Sequence, residues 1–140
     1  MARSGSVLVG FALVATALAA CLAADPAVYL PTYRPLDTMP AALIEGVLIE
    51  DGGCLWLESD GERMLVLWPR GSSVTSTIDG LAVRFEGATI PVGTRMRAGG
   101  GQYEQEHQPF VHDLIGEPVP DACRAAGLYW LAGGIESAEP

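Results

Sequence analysis

His107 and His112 are the two histidines of this 140-residue chain, and both lie in the segment His-Gln-Pro-Phe-Val-His. Glu104, Glu106 and Asp113 flank them. Imidazole and carboxylate groups bind metal ions, so a metal site in this loop is one interpretation. However, a spacing of five does not put both rings on one helix face, and the zinc-protease motif H-E-x-x-H is absent. The alternative is a pair of solvated histidines in an acidic loop.

The N-terminus predicts export from the cytoplasm. Arg3 precedes an apolar run over residues 7–19, and small residues follow it. This order of charge, apolar segment and small residues is typical of a secretory signal peptide, here residues 1–20 in a signal helix. The apolar run is too short for a transmembrane helix, which needs roughly 20 residues.

The end of that segment, Leu18-Ala19-Ala20-Cys21, resembles the lipobox of bacterial lipoproteins. The resemblance implies cleavage before Cys21, a diacylglycerol on its sulfur and commonly acylation of the new N-terminus, so that the partner of the anchor is a membrane. Two or three acyl chains hold a protein stably on a bilayer. Leu22 follows the cysteine, which implies the periplasmic side of the outer membrane in a diderm host. In a monoderm host the same anchor implies the outer face of the cell membrane.

Cys54 and Cys123 remain once Cys21 is acylated. Disulfides persist in exported proteins, so the simplest expectation is a Cys54–Cys123 bond. Two alternatives stay open at this point. The cysteines could be buried thiols, or they could join His107 and His112 in a Cys2His2 metal site.

The charge balance excludes some classes of partner. The chain has 17 acidic and 8 basic residues, and every basic residue is arginine. Because phosphate contacts require basic side chains, we expect no nucleic-acid binding. The domain also lacks a polybasic patch for anionic headgroups, which leaves membrane attachment to the lipid.

Catalytic motifs do not stand out, so the sequence predicts no enzyme and no cofactor. The hydroxyl-rich segment 70–77 lacks a G-x-S-x-G nucleophile elbow. The glycines of Ala98-Gly-Gly-Gly-Gln102 lack the G-K-[ST] ending of a phosphate loop and predict a bulge or a turn instead. A small envelope hydrolase is the least favoured alternative.

Aromatic and arginine side chains supply the candidate ligand contacts. Trp56 and Trp130 lie in apolar strand-like segments and are expected in the core. Trp68 precedes Pro69 at a strand end, so it is a candidate ligand-binding residue. Arg95 and Arg97 share one strand face and could bind an acidic ligand, although such a pair is more often a solvated face balanced by acids.

The rest of the chain predicts an all-β fold. Segments 54–59 and 62–68 flank Asp60-Gly61, the strongest short-range hairpin signal. Segment 81–85 alternates, with Ala82 and Arg84 expected to face outward, and a helical turn is expected near residues 110–115. Short strands and Gly-rich turns favour a small closed or partly closed OB-like barrel of about five or six strands.

The domain organisation follows from these segments. We expect a cleaved signal peptide (1–20), a lipidated Cys21 with a Pro-rich tether (21–42), a β-barrel domain (43–134) and a frayed tail (135–140). The barrel sequence loosely resembles uncharacterised small bacterial envelope proteins with a C-L-x-L, W-P, V-G and G-G-G layout, a likeness that implies no activity. The function expected is therefore a non-catalytic binding or structural module among other envelope components, and the alternative is a metal-binding lipoprotein that uses the two histidines.

Overall fold

The computed structural model describes residues 27–124 and 127–137. The predicted signal peptide and Cys21 lie outside these residues. In chain order the elements are β1 Thr32–Tyr33, β2 Ala42–Asp51, β3 Cys54–Ser59, β4 Glu62–Pro69, β5 Ser73–Thr77, β6 Gly80–Phe85, β7 Ala88–Pro91, β8 Arg95–Glu104, α1 Gln108–Ile115 and β9 Leu128–Ser137. Short 3-10 helices at Gln105–His107 and Asp121–Cys123 lie on either side of α1. Within the described residues no helix is long and apolar enough to cross a bilayer.

Five strands close into a barrel. The sheet order is β4-β3-β2-β8-β9, and β9 returns to pair with β4. This closing pair is parallel and joins residues 65–67 to residues 129–131, whereas the other four pairs are antiparallel. A five-stranded barrel in this order is OB-like, so the predicted fold class is confirmed. The short strand β1 adds to β4 in parallel.

The Asp60-Gly61 hairpin forms as the sequence predicts. Both turn residues have positive φ angles, 50° and 81°, which a two-residue type I′ turn requires. The turn sets the register, in which Glu58 lies opposite Arg63. Their side chains form an ion pair at 3.1 Å, as cross-strand pairs of opposite charge favour.

Successive residues of the barrel strands enter two different cores, because side chains alternate between the faces of a strand. One face fills the inside of the barrel, which we call the barrel core. Its buried members are Leu48, Leu55, Leu57, Met64, Val66, Trp68, Val83, Ile90, Met96, Ala98, Trp130 and Ala132. The buried residues on the inside of the barrel are therefore all apolar.

The opposite face of β3, β4 and β9 packs in a second cluster, which we call the outer core. Its buried members are Tyr33, Cys54, Trp56, Leu65, Leu67, Val111, Leu114, Val119, Cys123, Tyr129 and Leu131. Helix α1 contributes Val111 and Leu114, which lie on one face of the helix at a spacing of three. Both faces of the hairpin near its base are therefore apolar because each face packs in its own core.

A separate three-stranded sheet, β5-β6-β7, connects β4 to β8. Val83 of β6 and Ile90 of β7 pack into the barrel core. The expected alternation in β6 is wrong at one position, because Ala82 is fully buried and does not face solvent. Strand β6 is the central strand of its sheet, and a small side chain on its second face is enclosed there.

The described part of the Pro-rich segment lies against the barrel. Residues 27–41, which we call the N-terminal strap, contribute the buried Tyr33 to the outer core. The Tyr33 hydroxyl donates a hydrogen bond to the Ala132 carbonyl at 2.7 Å, and the Trp68 amide donates to the Pro31 carbonyl at 2.8 Å. From residue 27 onward the segment is therefore part of the folded domain.

Strands β8 and β9 depart from regular pairing at a bulge. Ala98 lies opposite Ile135 and Gly100 opposite Ala132, so one residue more is present on β9 than on β8 between these pairs. The expected bulge in the Gly-rich segment is confirmed. Residues 135–137, expected in the frayed tail, instead continue β9 and pair with residues 96–98.

Candidate functional site

The two remaining cysteines form the expected bond. Cys54 begins β3 and Cys123 ends the second 3-10 helix, with their Cα atoms 5.6 Å apart. The bond fixes the loop after α1 to the first residue of β3. Because both sulfurs are used, the buried-thiol and Cys2His2 alternatives are wrong.

The histidines lie at separate places around α1. His107 ends the first 3-10 helix, where its ring packs edge-on against Tyr103 at 5.9 Å between centroids. His112 lies within α1 and is only partly exposed. In the part of the chain that the structure describes, no group of three or more His, Cys, Asp or Glu side chains is placed to hold a metal ion. The metal hypothesis therefore has no supporting geometry.

The structure decides between the two interpretations of the tryptophans. Trp56 and Trp130 are 4% exposed, which confirms them as core residues. Trp68 is 0% exposed and belongs to the barrel core, so the hypothesis that it contacts a ligand at a rim is wrong. The position of Trp68 at a strand end suggested an exposed side chain. The strap covers that end of β4, where Thr32 lies opposite Trp68.

Arg95 and Arg97 share one outward face of β8, as predicted, and both are exposed. The Glu45 carboxylate on the neighbouring strand β2 forms ion pairs with both guanidinium groups, at 3.4 Å from Arg95 and 3.5 Å from Arg97. Glu136 of β9 lies directly opposite Arg97. This arrangement matches the interpretation of a solvated face balanced by acids, and such exposed pairs contribute about 0–1 kcal/mol each.

A groove runs along the bulge between β8 and β9. It has a volume of about 470 Å³. The lining residues are Tyr33, Met39, Pro40, Ala41, Ala42, Leu43, Gly99, Gly100, Gly133 and Gly134. A second hollow of about 320 Å³ shares Leu43, Gly99 and Gly134 with it and continues to Arg97 and Glu136. Because the hollows share three residues, we treat them as one surface and call it the glycine groove.

Glycines make this groove in two ways. At Gly101 a side chain would meet the Pro40 ring at 2.7 Å, and at Gly133 it would meet the Met39 methyl group at 3.0 Å, so these glycines let the strap pack closely. At Gly134 a Cβ atom would meet nothing within 4 Å. Gly134 therefore leaves its backbone uncovered in the lining of the groove, and a molecule in the groove would contact that backbone directly.

Sequence reasoning missed this groove. The signal was present, since Gly99-Gly100-Gly101 and Gly133-Gly134 are two glycine runs in predicted strands. Only the pairing of β8 with β9 brings them together. Leu43 was also missed, and its side chain is 67% exposed at the edge of the groove.

The tyrosines near the strap and α1 are not prepared for acid-base chemistry. Burial raises the pKa of Tyr29, and the nearby Glu117 carboxylate raises it further. Burial alone raises the pKa of Tyr33, and burial is also the largest cause of the raised pKa of Tyr129. A general base or a nucleophile at neutral pH needs the opposite shift, so these hydroxyls remain protonated. The Tyr33 hydroxyl donates a hydrogen bond to the Ala132 carbonyl.

No family model, curated protein or solved structure matches this chain. Its function must therefore be argued from its own residues.

Proposed function

We propose that this chain is a lipid-anchored, non-catalytic binding protein of the bacterial cell envelope. Cys21 carries the lipid, and the glycine groove is the binding surface. The observation that carries the proposal is the Cys54–Cys123 bond, because a disulfide is typical of an exported protein. An exported chain with a lipobox has a direct route to acylation at Cys21.

The groove supports binding better than catalysis. Its lining is mostly apolar side chains and glycine backbone, with the Arg97 side chain and the Glu136 carboxylate at one end. The only hydroxyl in the lining, that of Tyr33, already donates to the Ala132 carbonyl. A slender ligand with an apolar body and a polar end fits this combination, because a few polar groups fix orientation in an otherwise apolar site.

Intact mass of the protein from its native membrane tests the anchor. We expect a chain that begins at Cys21 and carries acyl mass, with Cys54 and Cys123 alkylated only after reduction. A Cys21→Ser variant should move to the soluble fraction. An unmodified chain, or a Cys21→Ser variant that stays in the membrane, would refute the anchor.

A photo-crosslinking residue at Leu43 tests the groove in the same membranes. Ile78 is the matched control, since it is also an exposed aliphatic residue, 100% exposed at the β5–β6 turn and outside the groove lining. We expect a discrete adduct mass from position 43 and none from position 78. Equal labelling at both positions, or no adduct at position 43, would contradict the groove as the binding surface.

A further inference from the structure

The N-terminal strap joins the barrel very early in the chain. The Tyr29 amide donates a hydrogen bond to the Gly53 carbonyl at 2.7 Å, and Tyr29 forms a parallel bridge with Cys54. Three residues later, Thr32 pairs with Trp68 of β4. The strap thus contacts the ends of both hairpin strands, beyond Trp56 and Leu65, where the pairing of β3 with β4 stops.

This contact limits how far the domain can stand from a lipid on Cys21. Tyr29 is the eighth residue after Cys21. A fully extended chain spans at most about 3.5 Å per residue, so the two Cα atoms are at most about 28 Å apart. A tether over all of residues 21–42 would instead have reached about 70 Å. The folded strap removes more than half of that reach.

We propose that the β2–β3 turn is the surface of the domain nearest the membrane and that the strap keeps the domain close to the bilayer. We call this surface the Gly52 end, and it consists of residues 50–53. The partner is the lipid bilayer itself. The inference rests on the proposed acylation of Cys21, and it adds which surface of the domain lies nearest the lipid.

The bonds around the Gly52 end suit this position. The Glu50 carboxylate accepts a hydrogen bond from the Gly53 amide at 2.8 Å, and Asp51 pairs with Arg63 at 2.8 Å. Cys54, the next residue, is bonded to Cys123. Force on the lipid anchor therefore passes through Tyr29 to a turn that is fastened to two other parts of the domain.

The negative charge of the Gly52 end keeps this end at a short distance from the bilayer surface. Glu50 and Asp51 are exposed carboxylates, and only Asp51 has an arginine partner among the described residues. Anionic headgroups repel such a surface over about a Debye length, 8 Å at physiological salt. The segment between Cys21 and Tyr29 opposes that repulsion and limits the distance between the Gly52 end and the bilayer.

Two exposed glutamates provide matched probe positions. Glu50 lies at the Gly52 end opposite Leu55, and Glu62 lies at the other end of the hairpin opposite Ser59. Their partners Leu55 and Ser59 are four residues apart on β3, so the two probe positions differ by about 13 Å along the strand. A clickable non-natural residue at each position carries the same donor fluorophore without adding a cysteine.

The experiment measures energy transfer to a headgroup-labelled acceptor lipid. The lipidated full chain is placed in vesicles of phosphatidylethanolamine and phosphatidylglycerol. We expect clearly higher transfer from position 50 than from position 62. A Gly-Ser spacer of about ten residues between Ala24 and Asp25, which adds about 17 Å on average, should lower transfer from both positions and reduce the difference.

Each outcome decides the inference. Equal transfer from the two positions, or higher transfer from position 62, with acyl mass confirmed on Cys21, would overturn the orientation and leave the proposed function intact. Failure of the spacer to lower transfer would show that the strap does not limit the distance and would also overturn it. Absence of acyl mass would remove the proposed function and the inference together. The spacer variant leaves the folded domain unchanged, so it does not depend on the labelled variants folding.

Discussion

Substitution of Gly100 by alanine should destabilise the barrel severely. Gly100 has a φ of 142°, in the region that side chains rarely adopt. A Cβ atom there would overlap the carbonyl oxygen of Leu131, and it would lie 3.3 Å from the Trp130 indole nitrogen. Both neighbours belong to β9, which closes the barrel. The bulge therefore has no room for any other residue.

The magnitude follows from two separate costs. A strained backbone angle costs about 1–3 kcal/mol. Forcing a backbone shift in a packed region costs about 1–3 kcal/mol more. Together these costs predict that Gly100→Ala loses about 2–6 kcal/mol, against a total stability of about 5–15 kcal/mol for a domain.

Urea unfolding monitored by tryptophan fluorescence measures the effect, because all three tryptophans are buried. With a denaturant slope of about 1–3 kcal/mol/M, the midpoint should fall by about 2 M. Gly134→Ala is the matched control, since its Cβ atom meets nothing within 4 Å. It should change stability by less than about 0.5 kcal/mol. A Gly100→Ala variant as stable as this control would refute the structure of the bulge.

Three further predictions concern the parts that hold the strap and the outer core. Replacing Cys54 and Cys123 by alanine opens a loop with a sequence separation of 69 and should cost about 4 kcal/mol in urea unfolding. Tyr33→Phe removes the hydrogen bond to the Ala132 carbonyl and should cost about 1 kcal/mol by the same measurement. Burial raises the pKa of Tyr33 and Tyr129 above the ordinary value of 10.0, so the folded state favours their protonated forms. This stabilisation is fully present below pH 10 and is lost as the pH rises through the folded-state values, which melting temperatures measured across that range should show.

Each of these predictions has its own control. Wild-type protein under reducing conditions should unfold at the same urea midpoint as the double alanine variant, and a large difference would contradict the loop-closure explanation. Tyr103→Phe, at a partly exposed position of β8, should change stability less than Tyr33→Phe. The alkaline loss should become smaller in Tyr33→Phe, and an unchanged loss would assign it to other groups.

Local signals in the sequence predicted the local structure well. The Asp60-Gly61 pair predicted a hairpin and its register, because a two-residue turn allows only one alignment of the two strands. Alternation placed Arg95 and Arg97 on one face of β8, and the structure shows that this face is exposed. These features depend on neighbours in the chain, which a sequence displays directly.

Long-range packing accounts for what sequence reasoning missed. Trp68 is a candidate ligand contact by its place at a strand end, but the strap pairs with that end and the side chain is fully buried. The groove needed the pairing of Gly99 with the segment around Gly134, which are 35 positions apart in the sequence. Proline content predicted a tether over residues 21–42. In the structure this segment packs on the barrel from residue 27 onward, where Tyr33 donates a hydrogen bond to the Ala132 carbonyl.

The outer core covers the surface on which barrels of this type bind ligands. OB-like barrels bind ligands on the face of their second and third strands, which here are β3 and β4. In this chain that face supplies Cys54, Trp56, Leu65 and Leu67 to the outer core, where α1, the strap and the disulfide cover it. Uncovering it would expose a large apolar surface and break a covalent bond. The glycine groove, the binding surface proposed above, lies instead beside β8, which pairs with β2 on one side and β9 on the other.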